Sequence, residues 1–480
     1  REFGATFTLA ESDSTHFMTA LGTQDRPLRV AVIGSGPSGF YAVEALVKSD
    51  IEVKVDIFEA LPCPFGLVRY GVAPDHQKIK TVTKVFDRIA ARPNVRFFGN
   101  VTFGSDLSAD DFRRFYDAVI LAHGAQSDRR LNVPGEDLSG SHTATEFVAW
   151  YNGHPDYVDR QFDLSCETAV VIGQGNVAVD VCRVLAKTVD ELRKTDIATH
   201  ALDALAESRI RRIYMVGRRG PVQAKFTQLE VKELGALEAC TTLVDPAELE
   251  LSDDSLADLN NPENAHAQRI FPILQEFGKK QASDVLRNLY ITFCKSPKEI
   301  RGAERVESIV FERNRLEGEP GNIRAVSTGE TQELECGLVF RSVGYRGLPL
   351  PDVPFDERSG TVPNDEGRVL RDGEIVRGLY AVGWIKRGPS GVIGTNKPDS
   401  QATVKSLIAD IESLIPCENP DTRSVLNLLN TRGVQVVEFA DWQRIDTLEI
   451  ERGAQSGRPR EKIVTRGELL AAASGASTTK

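Results

Sequence analysis

Two glycine-rich turns, each lying between a strand pattern and a helix pattern, constrain this chain more than any other feature. The first, GSGPSG (Gly34–Gly39), follows LRVAVI and precedes FYAVEALVKS. The second, GQGNVA (Gly173–Ala178), follows TAVVI and precedes VDVCRVLA. Short apolar runs that end in glycine are typical of buried parallel strands, and strand–turn–helix is the order of a dinucleotide-binding unit. The sequence therefore predicts an α/β fold with two Rossmann-like units.

The first unit carries the full GxGxxG pattern in Gly34, Gly36 and Gly39. These glycines permit the tight turn, the approach of the backbone to a pyrophosphate, and close packing of helix on strand. Glu59 ends the next predicted strand, 20 positions after Gly39, where a carboxylate can accept hydrogen bonds from ribose hydroxyls. The pattern predicts a dinucleotide site; a glycine turn without a ligand is the alternative.

The second unit differs at the end of its second strand. Gly173, Gly175 and Ala178 form GxGxxA, and the strand that follows the helix leads into Arg218 and Arg219 rather than into an acid. A carboxylate would repel the 2′-phosphate of NADP, whereas adjacent guanidiniums attract it and can bind it in a fork. We therefore predict NADP(H) rather than NAD(H) here; a solvated arginine pair is the alternative.

Length, charge and cysteine content argue against several classes of protein. A chain of 480 residues suggests two or three domains. A net charge of −11 argues against nucleic-acid binding, and no stretch approaches the roughly 20 apolar residues that a membrane span needs. The seven cysteines are odd in number and none forms CxxC, which argues against a disulfide framework, a zinc knuckle or an iron–sulphur site. A reducing compartment is the expectation.

Other segments can be placed more coarsely. Further buried strands are predicted within Asp117–Ala125, Arg211–Gly220 and Gly378–Trp384. The polar stretch Leu251–His266 is expected to be a surface insertion, and the final SGASTTK to fray. Residues 1–27 are predicted to be a flexible extension that lacks the apolar segment of a secretory signal.

Longer segments resemble one family. They are PFGLVRYGVAPDH (Pro64–His76), VIGQGNVAVDVCR, VGRRGPVQAKFT, FRSVGYRG (Phe340–Gly347) and GWIKRGPSGVIGTNK (Gly383–Lys397). Together they resemble the adrenodoxin reductase family, particularly its bacterial NADPH–ferredoxin reductases. The resemblance implies two domains of the glutathione-reductase type, with an NADP domain (127–343) inserted into a discontinuous FAD domain (28–126 and 344–480).

The resemblance also implies site residues. Those implied for FAD are Gly34, Gly36, Ser38, Gly39, Glu59, Leu67, Phe103, Trp384, Gly391, Val392 and Ile393. Those implied for NADP are Gly173, Gln174, Gly175, Asn176, Val177, Arg218, Arg219, Glu230 and Gly391. His76 and Glu233 match polar residues close to the flavin that support catalysis without being essential, and Asp180 matches an acid near the domain junction.

Several of these residues have simpler interpretations. His76 lies in a predicted loop, where a histidine is usually only exposed. Glu230 and Glu233 are spaced i, i+3, which is typical of a solvated helix face. Trp384 would ordinarily pack in a core, although its place before GPSGVIG favours stacking beside a ring system.

The resemblance implies a flavoprotein that takes hydride from NADPH and passes single electrons to a ferredoxin or adrenodoxin-like iron–sulphur protein. A haem monooxygenase or another redox system would receive the electrons. We expect a monomer of the bacterial cytoplasm, with the mitochondrial matrix as the alternative. Acidic ferredoxins predict a basic docking patch, for which the candidates are Arg211, Arg212, Lys279, Lys280, Lys386 and Arg387.

Three rival interpretations remain. A flavin-dependent disulfide reductase needs a redox-active cysteine pair near the flavin, and the sequence offers no CxxC. The flavoprotein subunit of a glutamate-synthase-like enzyme would normally bring cysteine-rich motifs near its N-terminus, where the first cysteine here is Cys63. A non-enzymatic protein that only holds nucleotides is the third.

Overall fold

A computed structural model describes residues 20–475 of the chain. The greater part of the predicted flexible extension, residues 1–19, and the end of the predicted frayed tail lie outside the described residues. The described end of the extension is tied to the fold, because the Arg26 guanidinium donates hydrogen bonds of 3.0 and 2.7 Å to both carboxylate oxygens of Asp117.

The strands alternate with helices along most of the chain. They are β1 (Leu28–Ile33), β2 (Val53–Glu59), β3 (Val95–Gly99), β4 (Ala118–Leu121), β5 (Ser127–Asp128), β6 (Ser141–Thr143), β7 (Thr168–Ile172), β8 (Arg212–Val216), β9 (Cys240–Val244), β10 (Arg287–Thr292), β11 (Lys295–Arg301), β12 (Ser308–Glu317), β13 (Arg324–Glu335), β14 (Leu338–Arg341), β15 (Tyr345–Arg346), β16 (Asn364–Asp365), β17 (Arg368–Arg371) and β18 (Glu374–Ala381).

The α-helices range from single turns to five turns. They are α1 (Pro37–Val47), α2 (Leu67–Tyr70), α3 (Gln77–Lys80), α4 (Thr83–Ala90), α5 (Ala109–Phe115), α6 (Ala144–Tyr151), α7 (Asn176–Ala186), α8 (Val189–Arg193), α9 (Thr199–Ala206), α10 (Gln228–Leu234), α11 (Asp253–Asn260), α12 (Ala265–Gly278), α13 (Trp384–Arg387), α14 (Asn396–Ala409), α15 (Ser424–Thr431), α16 (Phe439–Gln455) and α17 (Arg466–Ala473). None of the described helices has both the length and the hydrophobicity that crossing a membrane requires.

The first of two large sheets draws on both ends of the described chain. Its strand order is β16-β17-β18-β4-β1-β2-β3, in which β18, β4, β1, β2 and β3 run parallel. Alternate residues of β1 point to opposite faces of the sheet. Val30 and Val32 pack with α1 on one face, and Ala31 and Ile33 pack with Phe58 on the other. Because both faces are covered, the residues Val30 to Ile33 form one continuous apolar run.

The second large sheet is built from the middle of the chain. Its order is β6-β14-β7-β8-β10-β9, and all of its pairings are parallel. Ala169 and Val171 enter one core with α7, whereas Val170 and Ile172 enter another beside the antiparallel sheet β11-β12-β13. The two predicted Rossmann-like units are therefore present as two large sheets, each with parallel strands covered on both faces.

The chain passes between the two large sheets at a short antiparallel ribbon. Ser127 and Asp128 of β5 pair with Arg346 and Tyr345 of β15, and the Arg129 amide donates a 3.0 Å hydrogen bond to Gly344. The ribbon lies where the sequence predicts the two crossings, near Gln126 and Gly344. The domain boundaries themselves stay a prediction.

A buried polar seam holds the C-terminal segment against the middle of the chain. Lys462 donates hydrogen bonds of 3.1 Å to the carbonyls of Arg69 and Asn152, and its ammonium lies 3.6 Å from Asp196. Lys80 donates to both carboxylate oxygens of Asp196, at 2.7 and 2.8 Å. Two lysines thus share one buried carboxylate that lies outside the first sheet's own segments.

Candidate active site

The first glycine turn has the geometry of a phosphate cradle. Gly34 has φ 110°, and a Cβ there would lie 2.6 Å from the Ala122 carbonyl oxygen. A Cβ on Gly39 would lie 2.2 Å from the Gly34 oxygen, so only glycine permits this approach of helix to strand. A Cβ on Gly36 would meet nothing within 4 Å. The turn is therefore closed toward the protein and open on the side where a ligand would lie.

The helix α1 begins at this turn with its amides available. Its N-cap, Gly36, is extended and supplies no side-chain hydrogen bond to the first turn of the helix. Unsatisfied N–H groups at a helix N-terminus, together with the helix dipole, favour a phosphate group. The residues present fit the pyrophosphate of a dinucleotide.

Glu59 ends β2 beside the turn. Its Oε2 accepts a 2.6 Å hydrogen bond from the Ser35 hydroxyl and a 3.1 Å bond from the Ser35 amide. Burial raises the pKa of Glu59, and the Ser35 hydrogen bonds counter that effect in part. The carboxylate predicted to bind ribose is thus fixed in place at the end of its strand.

Of two further residues predicted to bind the flavin, Leu67 follows a glycine that lies against the turn, whereas Phe103 packs among apolar side chains. Gly66, with φ 48°, precedes Leu67, and a Cβ on Gly66 would lie 3.1 Å from the Gly36 Cα. Leu67 itself is 39% exposed. Phe103 follows β3 and stacks on Phe112, with ring centroids 5.1 Å apart, so its ring packs in an apolar cluster.

The segment after β18 joins this site from the far end of the chain. Gly383 has φ 72°, its amide donates a 2.6 Å hydrogen bond to Asp399, and a Cβ there would lie 2.5 Å from the Ser38 hydroxyl. The Ser400 hydroxyl donates to the Ser38 carbonyl at 2.9 Å. These contacts bind α14 to the start of α1.

Trp384 forms the next part of this wall. Its indole N–H donates a 3.1 Å hydrogen bond to the Ser390 carbonyl, and its ring stacks on Tyr345, with centroids 5.4 Å apart. Gly391 has φ 80°, and Val392 is 59% exposed just before the 3-10 turn Ile393–Thr395. The structure therefore brings Ser38, Trp384 and the glycine-rich loop to one edge of the first sheet.

The second glycine turn repeats the first in its backbone. Gly173 has φ 134°, and a Cβ there would lie 2.1 Å from the Ser342 oxygen. A Cβ on Gly175 would meet nothing within 4 Å, and Gly175 caps α7 without a side-chain hydrogen bond. The Asn176 side chain accepts a 2.8 Å hydrogen bond from the Thr227 amide, and Val177 packs against the core.

The arginine pair follows β8 at the same edge. Arg218 is exposed and Arg219 is half-buried, and among residues 20–475 neither guanidinium lies within salt-bridge distance of a carboxylate. Burial and the neighbouring Arg218 charge lower the pKa of Arg219, which indicates a site that concentrates positive charge. Asn314 donates a 2.8 Å hydrogen bond to the Arg218 carbonyl and so fixes the loop.

Between the two sheets lies a polar cluster centred on Arg183. Its guanidinium contacts Asp75 at 2.7 Å, Asp180 at 2.7 Å, Glu230 at 3.1 Å and Glu233 at 3.3 Å. Arg183 is 1% exposed. Because Asp75 belongs to a loop of the first unit and the others to α7 and α10, one buried cation joins the two units.

His76 completes this cluster, which we call the junction cluster: Asp75, His76, Asp180, Arg183, Glu230 and Glu233. The His76 Nε2 lies 2.8 Å from Glu233 and 3.8 Å from Glu230. His76, Glu230 and Glu233 offer ligand atoms within 4.8 Å of one another, but Arg183 already supplies positive charge to both glutamates. The arrangement is that of an ion-pair network.

Two carboxylates of the junction cluster titrate abnormally. Burial raises the pKa of Asp180 to about 7, against the opposing charge of Arg183. Burial acts in the same direction on Asp75, but the hydrogen bond and charge of Arg183 outweigh it and hold the Asp75 pKa below its ordinary value. A proton can therefore be exchanged at Asp180 near neutral pH while Asp75 stays ionised.

Sequence reasoning did not single out Arg183 or Asp75. Arg183 lies three residues after Asp180 on α7, and this spacing is the one local signal that could have indicated the pair. Its contact with Asp75 spans 108 residues, so local spacing gave no indication of it.

The predicted docking residues fall in more than one place. Arg211 and Arg212 lie at the amino end of β8, in the second sheet. Lys386 and Arg387 follow the carboxyl end of β18, in the first sheet, where Lys386 pairs with Asp399 at 3.0 Å. Lys279 pairs with Glu276 on α12. A common basic patch of all six remains a prediction.

Comparisons with known proteins agree with this architecture. The family model for pyridine nucleotide-disulphide oxidoreductases matches residues 28–217. The NADPH-ferredoxin reductase FprA of Mycobacterium tuberculosis is 45% identical over 458 residues, which are 93% of this chain and 99% of the relative. The mitochondrial NADPH:adrenodoxin oxidoreductase of Salvelinus fontinalis is 43% identical over 455 residues, which are 92% and 90% of the two chains.

A solved structure is similar over nearly the same length. Mycobacterium tuberculosis FprA in complex with NADPH superposes with a TM-score of 0.88 at 45% identity, covering 94% of this chain and 100% of that one.

Proposed function

Since the chain belongs to the family of NADPH–ferredoxin reductases and NADPH:adrenodoxin oxidoreductases, we propose that it oxidises NADPH and reduces a small iron–sulphur protein by way of FAD. The observation that carries this proposal is the pair of glycine turns, each opening toward free space at the N-terminus of a helix and each followed by a different charge. Glu59 stands at the first and Arg218 with Arg219 at the second.

The first unit, residues 28–126 with 344–480, is proposed as the FAD domain. The turn Gly34–Gly39 would hold the pyrophosphate, and Glu59 would accept hydrogen bonds from the adenosine ribose. The residues proposed to contact the rest of the cofactor are Ser38, Leu67, Phe103, Trp384, Gly391, Val392 and Ile393. When bound, FAD supplies the chemistry that side chains lack, because it takes up two electrons as a hydride and releases them singly.

The second unit, residues 127–343, is proposed as the NADP domain. The 2′-phosphate would lie on Arg218 and Arg219, which have free guanidiniums among the described residues. The pyrophosphate would lie on the N-terminus of α7, at Gly175–Val177. Gln174, Glu230 and Gly391 are proposed to contact the nicotinamide half of the coenzyme.

The junction cluster is proposed to position the two ring systems. Arg183 fixes Asp75 and Glu230, which come from different units, and so holds the two nucleotide sites in one relation to each other. His76 and Glu233, 2.8 Å apart, can orient a ring or pass a proton toward the 34% exposed side chain of Glu233. The protein's contribution is positioning and electrostatics, since the hydride transfer requires no nucleophilic side chain.

The acceptor is proposed to be a ferredoxin or adrenodoxin-like protein that supplies a haem monooxygenase or another redox system. A monomer in the bacterial cytoplasm is proposed, with the mitochondrial matrix as the alternative. The basic residues at the amino end of β8, Arg211 and Arg212, remain candidates for docking an acidic partner. The rate at which the partner is reduced should then fall as the ionic strength rises.

One observation weighs against the disulfide-reductase alternative. All seven cysteines are free, and Cys63, which follows β2 near the proposed flavin site, is 1% exposed. Burial raises the pKa of the Cys63 thiol to about 11, so that it is a thiol rather than a reactive thiolate at neutral pH.

The test is a direct measurement of electron flow. Purified protein should carry bound FAD, and anaerobic NADPH should bleach the flavin absorbance. A panel of iron–sulphur proteins is then tested with cytochrome c as the final electron acceptor. Cytochrome c should be reduced only when at least one of these iron–sulphur proteins is present. A folded protein that binds nucleotides and reduces neither ferricyanide nor any partner would favour the non-enzymatic alternative.

A further inference from the structure

The carboxyl ends of four parallel strands lie side by side at one edge of the first sheet. In the register of the sheet, Ile33 of β1 pairs with Phe58 of β2 and with Leu121 of β4, and Leu121 pairs with Ala381 of β18. The residues that follow these four positions therefore share one edge. They are Gly34, directly after β1; Glu59, the last residue of β2; and His123 and Gly383, each two residues beyond the end of its strand, β4 or β18.

This edge contains the topological switch point of the sheet. The chain continues from β1 to β2 on one side, and β4 lies on the other side of β1. Dinucleotides cross such a point, with one half on each side. With the adenosine ribose at Glu59 and the pyrophosphate at the glycine turn, the part of FAD that follows the pyrophosphate, the ribityl chain, would pass the end of β4 before the ring system reaches Trp384.

His123 stands at this place. Its Cα lies 2.9 Å from the position that a Cβ would take on Gly34, the first glycine of the turn. Its Nε2 lies 3.3 Å from the carbonyl oxygen of Leu348, in the segment that returns from the second sheet. The backbone of His123 thus lies against the glycine turn, and its ring contacts the returning chain.

The two ring nitrogens of His123 differ in their partners. Because a carbonyl only accepts, the Nε2 must carry the proton, which leaves the Nδ1 as an acceptor. That Nδ1 is buried and has no hydrogen-bond partner among the described residues. Burial lowers the pKa of His123 to about 4, so the ring is neutral and keeps this acceptor at neutral pH.

A buried acceptor without a partner is uncommon in native proteins and calls for a donor. The donors available along the FAD chain between pyrophosphate and ring are hydroxyl groups. We propose that His123 is a cofactor-binding residue, whose Nδ1 accepts a hydrogen bond from a hydroxyl of the ribityl chain of FAD. This inference rests on the FAD site of the proposed function and adds a residue to it.

The experiment measures FAD binding to apoprotein, by the change in flavin fluorescence, for the unaltered chain and three variants. His123→Leu, which removes the acceptor, should bind FAD about 10-fold more weakly than the unaltered chain. His123→Asn places an amide oxygen near the Nδ1 position and should stay within about threefold. His142→Leu is the matched control, because His142 is half-buried, its pKa is also lowered by burial, and it lies in the second sheet.

The ligand series separates the hydroxyl bond from a general loss of structure. FAD analogues that lack one ribityl hydroxyl each are titrated into the unaltered protein and into His123→Leu. One analogue should bind the unaltered protein about 10-fold more weakly than FAD does. The same analogue and FAD should bind the variant with equal affinity. ADP, which covers only the adenosine end of the site, should bind both proteins equally.

The outcomes are distinct. Equal FAD affinity for His123→Leu and the unaltered protein would overturn the inference while leaving the proposed function intact. The same holds if the variant loses ADP and FAD affinity alike, or if no single hydroxyl is coupled to His123. If the unaltered apoprotein binds no FAD at all, the proposed function itself fails.

Discussion

The two glycine turns share one backbone plan and differ in what stands at the end of the neighbouring strand. In the first unit Ile33 pairs with Phe58 and in the second Ile172 pairs with Val216, so the positions that follow, Glu59 and Gly217, correspond. Ser35 binds the Glu59 carboxylate in the first unit.

In the second unit a different side chain fills the corresponding space. Gln174 occupies the position that Ser35 has in the first unit. A Cβ on Gly217 would lie 1.9 Å from the Gln174 Oε1. The Gln174 amide donates to the Thr292 carbonyl at 2.9 Å, and the chain then continues into Arg218 and Arg219. In the proposed function the shared backbone would bind pyrophosphate, while Gln174, Gly217 and the arginine pair would decide which ribose is accepted.

Removal of the guanidiniums should have the largest effect. In the double variant Arg218→Ala with Arg219→Ala, the KM for NADPH should rise by about 100-fold or more, because two charge-assisted interactions with the 2′-phosphate are lost. The KM for NADH should change little. Steady-state oxidation of both coenzymes with ferricyanide measures this, with exposed Arg211→Ala as the control. Equal losses for NADPH and NADH would contradict the assignment.

The third position of the glycine pattern, Gly39 in the first unit and Ala178 in the second, should tolerate exchange between glycine and alanine only in the second unit. Gly39→Ala would place a Cβ 2.2 Å from the Gly34 oxygen, and we expect a loss of about 1–3 kcal/mol in the free energy of unfolding. The second unit already has alanine at this position, and Ala178→Gly should cost at most about 1 kcal/mol. Urea unfolding of both variants makes the comparison; similar values would show that the two turns are packed alike.

A transplant of the first unit's recognition residues should change the coenzyme. In the double arginine variant, Gln174→Ser with Gly217→Glu recreates the Ser35–Glu59 arrangement. A hydrogen-bonded carboxylate facing the 2′-hydroxyl should lower the KM for NADH by about 10-fold relative to the double variant. Gly217→Glu alone, with Gln174 retained, is the control. Unchanged NADH kinetics would mean that the strand end does not determine coenzyme choice.

A further comparison, of the pH dependence of stability, concerns the helices that follow the turns. Asp180 on α7 corresponds to Tyr41 on α1, counting from the first residue of each helix. Because burial raises the Asp180 pKa to about 7, the folded chain holds a proton that the unfolded chain has released above about pH 4. Its contribution to stability is therefore complete at low pH and is lost as the pH rises through about 7.

Asp180→Asn should remove this part of the pH dependence. Urea midpoints are measured at several pH values from 5 to 8, and the midpoint of the unaltered chain should fall relative to that of the variant as the pH rises to about 7. Tyr41→Phe is the matched control on α1. Parallel curves for the unaltered chain and Asp180→Asn would place the Asp180 pKa outside this range.

The sequence predicted best what is local and repeated. The strand predicted to end at Glu59 ends there in the structure, and both glycine turns lie between a strand and a helix. Within Asp117–Ala125, where the sequence predicts a buried strand, β4 covers only Ala118–Leu121. Asp117 instead accepts hydrogen bonds from Arg26 and from the Arg29 amide, which are distant in sequence.

What the sequence did not predict depends on long-range pairing. The antiparallel sheet β11-β12-β13 was not anticipated, because β13 is exposed at most of its positions and shows no buried alternation. The polar stretch Leu251–His266, predicted as an insertion, contains α11, whose Asp258 is buried and accepts a 3.0 Å hydrogen bond from Gln223. The junction cluster likewise depends on contacts across more than 100 residues.

The ribbon of β5 and β15 makes the middle of the chain a cassette. Ser127 and Arg346 are partners in one short ladder. The two ends of the segment between them are therefore adjacent, as the exchange of a domain requires. A chimaera that replaced this cassette with that of a relative would nevertheless have to keep Asp196 and Asn152. Without them the graft would leave the ammonium of Lys462 buried and unpaired, a defect as costly as many core mutations.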